Sequence, residues 1–179
     1  MRNYKIKTYA KKKLSYSQLL ALNPKNSFAG KEMKVSQMTY EEVKVVVRDL
    51  GKKFTWQVMK DVFETCYGIS EKQFWNGRVV EFFSAMRFIQ SEFSRLAKTE
   101  QKLLKNIASV DAELWKQAEK GRLNRFAPVL PLVQLGKIYS QYPFDLKDKP
   151  YLEILHLLTI QKETTEVDRE YNKLKKMVQ

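Results

Sequence analysis

Residues 71–108, EKQFWNGRVVEFFSAMRFIQSEFSRLAKTEQKLLKNIA, decide the fold of this chain. Apolar residues recur in this stretch at alternating spacings of four and three, the pattern of one buried helix face. They are Trp75, Val79, Phe82, Met86, Ile89, Phe93, Leu96, Leu103 and Ile107, and Glu100 takes the one polar position of the register. No proline interrupts the stretch, and Ser70 with Gln73 forms a capping box at its start. We therefore predict one helix over residues 71–107, with Phe82, Met86, Ile89 and Phe93 in the core.

Helical signals continue on both sides of this stretch. Apolar residues at helical spacing, together with capping residues, predict helices near 39–50, 55–67 and 151–176, of which the second starts near Thr55 and is ended by Gly68. Residues 111–120 and 132–139 suit shorter helices, and prolines divide the segment between them. The sequence thus predicts an all-α fold, a helical bundle built on a long central helix.

The charge of the chain is concentrated at its N-terminal end. The whole chain has 33 Lys and Arg residues against 20 Asp and Glu residues, a net charge of +13. Residues 1–37 hold nine of the basic residues and a single acidic residue, Glu32, which gives this segment a net charge of +8. Few of its side chains are large and apolar. We therefore predict a basic, largely extended N-terminal arm over residues 1–37 and a helical domain over residues 38–179.

Six basic residues of the arm are candidate partner-binding cations: Arg2, Lys5, Lys7, Lys11, Lys12 and Lys13. They would bind a polyanion or an acidic protein surface, because clustered cations attract phosphates and carboxylates. We expect the arm to become ordered only in its assembly, since fixing each residue costs about 1–2 kcal/mol of backbone entropy. The alternation of residues 4–8 permits a rival interpretation, an extended segment that adds to a partner's surface.

Five aromatic residues are further candidate partner contacts: Tyr4, Tyr9, Tyr16, Tyr142 and Phe144. Rings interleaved with lysines are typical of segments that stack on nucleic-acid bases, and large aromatics also dominate protein interfaces. The segment 126–150 combines such rings with four prolines. It is either cover for the core or a docking surface.

The chain offers few side chains for catalysis or metal binding. One cysteine, Cys66, and one histidine, His156, exclude a disulfide framework and Cys/His metal sites. The six glycines are isolated from one another, so neither a GxGxxG motif nor a P-loop is present. Cys66 falls on an apolar helix face, which favours a buried, inert thiol. We expect a protein that is not an enzyme, with no catalytic residue, no metal site and no cofactor.

Two other classes are also disfavoured by the sequence. No apolar run approaches the roughly 18 residues that a membrane span needs, so we expect no membrane contact. The helices near 39–50 and 55–67 have the lengths of a helix-turn-helix pair, but Gln57 and Lys60 stand where its second helix needs apolar residues. The sequence therefore does not predict specific DNA recognition by these helices.

Four segments resemble small helical morphogenesis proteins of tailed bacteriophages, namely tail-assembly chaperones and minor virion proteins. The segments are MTYEEVKVVVRDL at 38–50, FWNGRVVEFFSAMRFI at 74–89, DAELWKQA at 111–118, and KPYLEILHLL at 149–158 leading into EVDREYNKLKK at 166–176. The resemblance leaves the basic arm unmatched and transfers no functional residue. It implies a non-enzymatic protein that holds other structural proteins of a larger assembly.

These observations lead to two expectations of function. The first is a bacteriophage virion or tail morphogenesis protein that acts through protein contacts, in the virion or in the host cytoplasm. The alternative is a nucleic-acid-binding accessory protein that uses the basic arm. The salt dependence of binding separates them, because phosphate contacts weaken steeply with salt and an aromatic protein interface does not.

Overall fold

The computed structural model describes residues 4–12, 22–104 and 121–178, and these residues are mostly helical. The predicted all-α character is confirmed, since the described residues form isolated β-bridges and no sheet. Their α-helices are α1 (Ile6–Lys12), α2 (Tyr40–Leu50), α3 (Trp56–Tyr67), α4 (Glu71–Asn76), α5 (Val79–Leu104), α6 (Leu130–Tyr139), α7 (Pro143–Leu146) and α8 (Tyr151–Val178). The helix predicted over 111–120 lies outside the described residues.

The described residues fall into two compact units. The first unit contains residues 4–12, 22–38 and 42–97, and the second contains residues 39–41, 98–104 and 121–178. This grouping differs from the predicted division between residues 37 and 38, because the described part of the arm packs with helices α3 to α5.

Both ends of helix α3 and the start of α4 are set by the capping residues that the sequence predicts. The Thr55 hydroxyl accepts a hydrogen bond from the backbone N–H of Val58 at 3.2 Å, and α3 ends at Gly68, whose φ is +58°. A side chain is strained at such a positive φ, so glycine is the natural stop. Ser70 and Gln73 form the predicted capping box at the start of α4.

The long helix predicted over residues 71–107 is broken at Gly77, and this corrects the prediction. Helix α4 ends at Asn76 and α5 begins at Val79, because the backbone of the N-terminal segment pairs with the break. Ile6 donates its backbone N–H to the carbonyl of Gly77 at 3.0 Å, and Val79 donates to the carbonyl of Tyr4 at 2.9 Å. These bonds satisfy backbone groups that the ends of two helices leave free.

A cluster of aromatic rings forms the core of the first unit. Phe82, Met86, Ile89 and Phe93 are buried on α5, which confirms the predicted core positions. The ring of Phe63 on α3 stacks on that of Phe82, with 4.9 Å between centroids. Each such side chain stabilises the fold by about 1.5–3 kcal/mol through burial. The Leu103 side chain is exposed, so the apolar face of α5 is buried only as far as Leu96.

Described residues of the arm contribute to this core, which differs from the predicted extended arm. Residues 6–12 form helix α1, and Ile6 and Tyr9 lie buried on one face of it, three residues apart. Phe28 is also buried, with its ring 4.8 Å from that of Phe63 between centroids. A two-residue turn places Phe28, because Ala29 and Gly30 both have positive φ and the backbones of Phe28 and Lys31 pair across it.

The second unit is organised around two stacked tyrosines. The rings of Tyr40 and Tyr151 lie 6.2 Å apart, and the Tyr151 hydroxyl donates to the carboxylate of Glu100 at 3.0 Å. The Tyr40 hydroxyl donates to the carbonyl of Pro128 at 3.2 Å. Burial, and secondly the charge of Glu100, raise the pKa of both hydroxyls, so both remain protonated donors. Glu100, the polar residue of the heptad register, thus has a structural partner.

A substitution at Gly77 tests the close approach of Phe28 to the helix break. A Cβ atom at position 77 would overlap the Phe28 ring, which cannot move freely among Phe63, Tyr67 and Phe74. We expect Gly77→Ala to lower the free energy of unfolding by about 1–3 kcal/mol, measured by urea denaturation. Gly51→Ala is the control, because its Cβ would make only ordinary contacts, and it should change stability by less than about 0.5 kcal/mol. Equal stability of the two variants would contradict the packing described.

A substitution at Ile6 tests whether α1 belongs to the folded unit in solution. The side chain is fully buried, so Ile6→Ala should lower the free energy of unfolding by about 2–5 kcal/mol. Lys7→Ala on the exposed side of the same helix should change it by less than about 0.5 kcal/mol. If Ile6→Ala were as stable as the wild-type protein, the arm would be detached, as the sequence alone predicts.

Candidate functional site

The structure describes some of the predicted partner-binding cations and not others. Lys5, Lys7 and Lys11 are exposed on or beside α1, as a binding role requires. Arg2 and Lys13 lie outside the described residues, and of Lys12 only the helical backbone is described. The described cations therefore lie on a folded helix and not on an extended strand.

Helix α1 lies against α4 and forms an open groove with it in the first unit. The groove has a volume of about 610 Å³ and is lined by Lys7, Ala10, Lys11, Lys72, Trp75 and Asn76. Lysines of the predicted arm thus meet a lysine and a tryptophan that the sequence analysis did not assign to a site. The spacing of Lys72 and Trp75, three residues apart on one helix, is a signal that could have indicated them. The heptad pattern instead assigned Trp75 to the core.

The predicted partner-binding aromatics also separate into two groups. Tyr9 is buried between Trp56 and Phe83, with centroid distances of 6.2 and 5.9 Å, so its ring belongs to the core and not to a partner surface. The reason is that Tyr9 shares the inner face of α1 with Ile6. Tyr4 remains exposed, and Tyr16 lies outside the described residues.

Tyr142 and Phe144 both remain exposed, on the second unit. Their rings lie 5.5 Å apart, at the start of helix α7. Leucines of the same segment, Leu132, Leu135 and Leu146, are buried. The segment between Phe126 and Pro150 therefore covers the core with its leucines and directs these two aromatic rings to solvent.

The C-terminal half of helix α8 carries an apolar stripe that the described residues leave uncovered. The first two turns are anchored by Tyr151, Ile154, Leu155 and Leu158, all buried. Beyond them the opposite face of the helix exposes 63% of Val167, 63% of Tyr171 and 61% of Leu174. Together with Ile160 on the same face, these residues follow a heptad spacing of their own, distinct from that of the buried residues. We call Ile160, Val167, Tyr171 and Leu174 the α8 stripe.

The one cysteine of the chain has surroundings that do not activate its thiol. Cys66 is buried on α3, and burial, with the charge of Glu42 as a second cause, raises the pKa of its thiol to about 12. A thiol with such a pKa stays protonated at neutral pH and is a poor nucleophile. Within the part of the chain that the structure describes, no three His, Cys, Asp or Glu side chains group as metal ligands would.

None of the described helices combines the length and the apolar character needed to cross a membrane. Comparison with protein families, curated proteins and solved structures gives no match to this chain.

The reactivity of Cys66 tests its burial. Because only the thiolate attacks a disulfide reagent, Cys66 in the native protein should react with Ellman's reagent at least about 100-fold more slowly than a free cysteine at about pH 8. In denaturant the same cysteine should react at the ordinary rate, which serves as the control. Rapid reaction of the native protein would mean that the thiol is exposed and activated.

Proposed function

We propose that this chain is a non-enzymatic structural or assembly protein that acts through protein–protein contacts. The observation that carries the proposal is the α8 stripe, because a line of exposed apolar residues at heptad spacing is suited to pack against a partner helix. Helix α8 has 28 residues and is therefore about 42 Å long, and none of its side chains described from Thr159 to Met177 is buried. The exposed rings of Tyr142 and Phe144 supply a second apolar surface of the kind found in interfaces.

The charges beside the stripe favour a partner with a different sequence over a second copy of this chain. In the heptad register, Glu163 and Glu170 flank the stripe on one side, and Asp168 and Lys175 flank it on the other. In a parallel pair of identical helices, Glu170 would face Lys175, but Glu163 would face Asp168. One attractive contact and one repulsive contact offset each other. A helix of another protein can complement all four charges.

The resemblance to phage morphogenesis proteins supports a more specific form of the proposal. In that form the chain is a virion or tail assembly component of a bacteriophage, present in the particle or in the host cytoplasm, and its partners are other structural proteins of the assembly. The bundle built on the long helix α5, together with the basic arm, is the architecture proposed for this role.

Aspartate substitutions on α8 test the proposal. Val167→Asp with Leu174→Asp places two charges in the stripe, where desolvating them in an interface is costly. Thr165→Asp with Asn172→Asp is the matched control, since it adds the same charge at exposed positions away from the stripe. Each variant would be expressed in the organism that encodes the chain, and its co-purifying proteins would be quantified by mass spectrometry.

We expect the stripe variant to lose its specific partners by at least about tenfold, and the control to retain them. Circular dichroism should be the same for both, because all four positions are exposed. Equal recovery of partners with both variants would contradict the proposal. Recovery of partners that are not virion or assembly proteins would contradict its phage-specific form.

A further inference from the structure

The groove between α1 and α4 combines free cations with an aromatic ring. Lys7 and Lys11 lie four residues apart, on one face of α1, and Lys72 lies across the groove on α4. None of these three ammonium groups forms an ion pair with a described residue. Their charge is therefore available to a ligand.

The acidic residue nearest in sequence to the groove is already engaged. The carboxylate of Glu71 accepts a hydrogen bond from Trp75 Nε1 at 3.1 Å and another from Lys60 Nζ at 3.4 Å. The first of these bonds, and then the charge of Lys60, lower the pKa of Glu71, which therefore stays ionised and occupied by its own partners. Lys7, Lys11 and Lys72 thus keep the groove positive.

Trp75 is held in one orientation at the groove. Its indole N–H is fixed on Glu71, and its ring contacts Phe74 edge-on, with centroids 5.1 Å apart. The ring of Trp56 packs on the Trp75 ring from a second direction, with 6.3 Å between the centroids. The ring is half-buried, so part of its surface remains accessible in the groove. A fixed ring gives a stacking surface without a large cost in side-chain entropy.

The remaining polar side chain in the groove, Asn76, is held by the protein itself. The Asn76 amide donates to the carbonyl of Lys72 at 2.9 Å, and its oxygen accepts from Lys5 Nζ at 3.4 Å. These two bonds fix the amide against α4 and Lys5, so the groove supplies cations for phosphates and a ring for stacking as its main contacts.

We propose that the α1–α4 groove binds single-stranded nucleic acid without sequence preference. Lys7, Lys11 and Lys72 contact backbone phosphates, and one base stacks on Trp75. An acidic peptide would bind the same cations, but its carboxylates cannot stack on a fixed indole ring as a base can. The inference concerns the first unit and does not depend on the contacts proposed for the α8 stripe.

Charge removal is the first test. Binding of a fluorescently labelled oligothymidylate to the full chain would be followed by fluorescence anisotropy at several salt concentrations. The triple variant Lys7→Gln, Lys11→Gln, Lys72→Gln should weaken binding by at least about tenfold at low salt, and it should reduce the slope of log K against log salt by about 2. Lys173→Gln, Lys175→Gln, Lys176→Gln is the matched control, because it removes the same charge from exposed positions of α8.

Removal of the ring is the second test, and it separates stacking from plain charge attraction. Trp75→Leu should weaken oligothymidylate binding by about tenfold while leaving the affinity for heparin, which has no bases, within about twofold. Trp75→Phe keeps an aromatic face, so it should bind oligothymidylate with most of the wild-type affinity. It also changes the packing less than Trp75→Leu does and serves as the control for folding.

Three results would overturn the proposal. The first is equal oligothymidylate affinity of the two triple lysine variants. The second is a Trp75→Leu variant that binds oligothymidylate as the wild-type protein does, which would make the groove a plain anion patch. The third is tighter binding of a polyglutamate peptide than of oligothymidylate. The aspartate pair in the α8 stripe should leave oligonucleotide binding unchanged, so failure of this proposal is distinguishable from failure of the assembly function.

Discussion

The pairing of the N-terminal backbone with the break at Gly77 is the constraint on which the first compact unit depends. A helix cannot supply partners for the amide and carbonyl groups at its own ends. Here α4 ends at Asn76 and α5 begins at Val79, so both kinds of group are left without a partner within three residues. Ile6 and Tyr4 provide the missing donor and acceptor. The helix can be interrupted at this point because the backbone groups that lose their helical partners form hydrogen bonds with the N-terminal segment. Gly77 also leaves room for the ring of Phe28, which closes the core over the junction.

The break has consequences for function as well as for packing. In one continuous helix, Trp75 would continue the seam of Phe82 and Ile89. With the helix divided, Phe74 is fully buried, while Trp75 lies half-buried beside α1. The same backbone pairing holds α1 next to α4 and so brings lysines that are distant in sequence to one groove. Core packing and the proposed nucleic-acid site therefore have a common origin.

The two proposed surfaces differ in their physical chemistry. Binding in the groove of the first unit would depend on phosphate contacts and would weaken steeply with salt. Binding at the α8 stripe of the second unit would depend on buried apolar area and would change little with salt. A protein that holds other structural proteins and also contacts a nucleic acid is consistent with both expectations that the sequence raised, without requiring one surface to serve both.

The helical character of this protein, both ends of α3, the start of α4 and the buried face of α5 follow from the sequence alone. These features depend on local interactions, namely the Thr55 and Ser70 caps, the stop at Gly68 and the spacing from Phe82 to Phe93, so they can be predicted from neighbouring residues. The break at Gly77, the burial of Tyr9 and the groove beside Trp75 arise only when the chain is folded. Each of these depends on contacts between residues about 45 to 75 positions apart, because the free energy of pairing Ile6 with Gly77 does not appear in any local pattern. The sequence could not show that the α8 stripe is exposed, because its heptad spacing is the same whether or not a partner covers it.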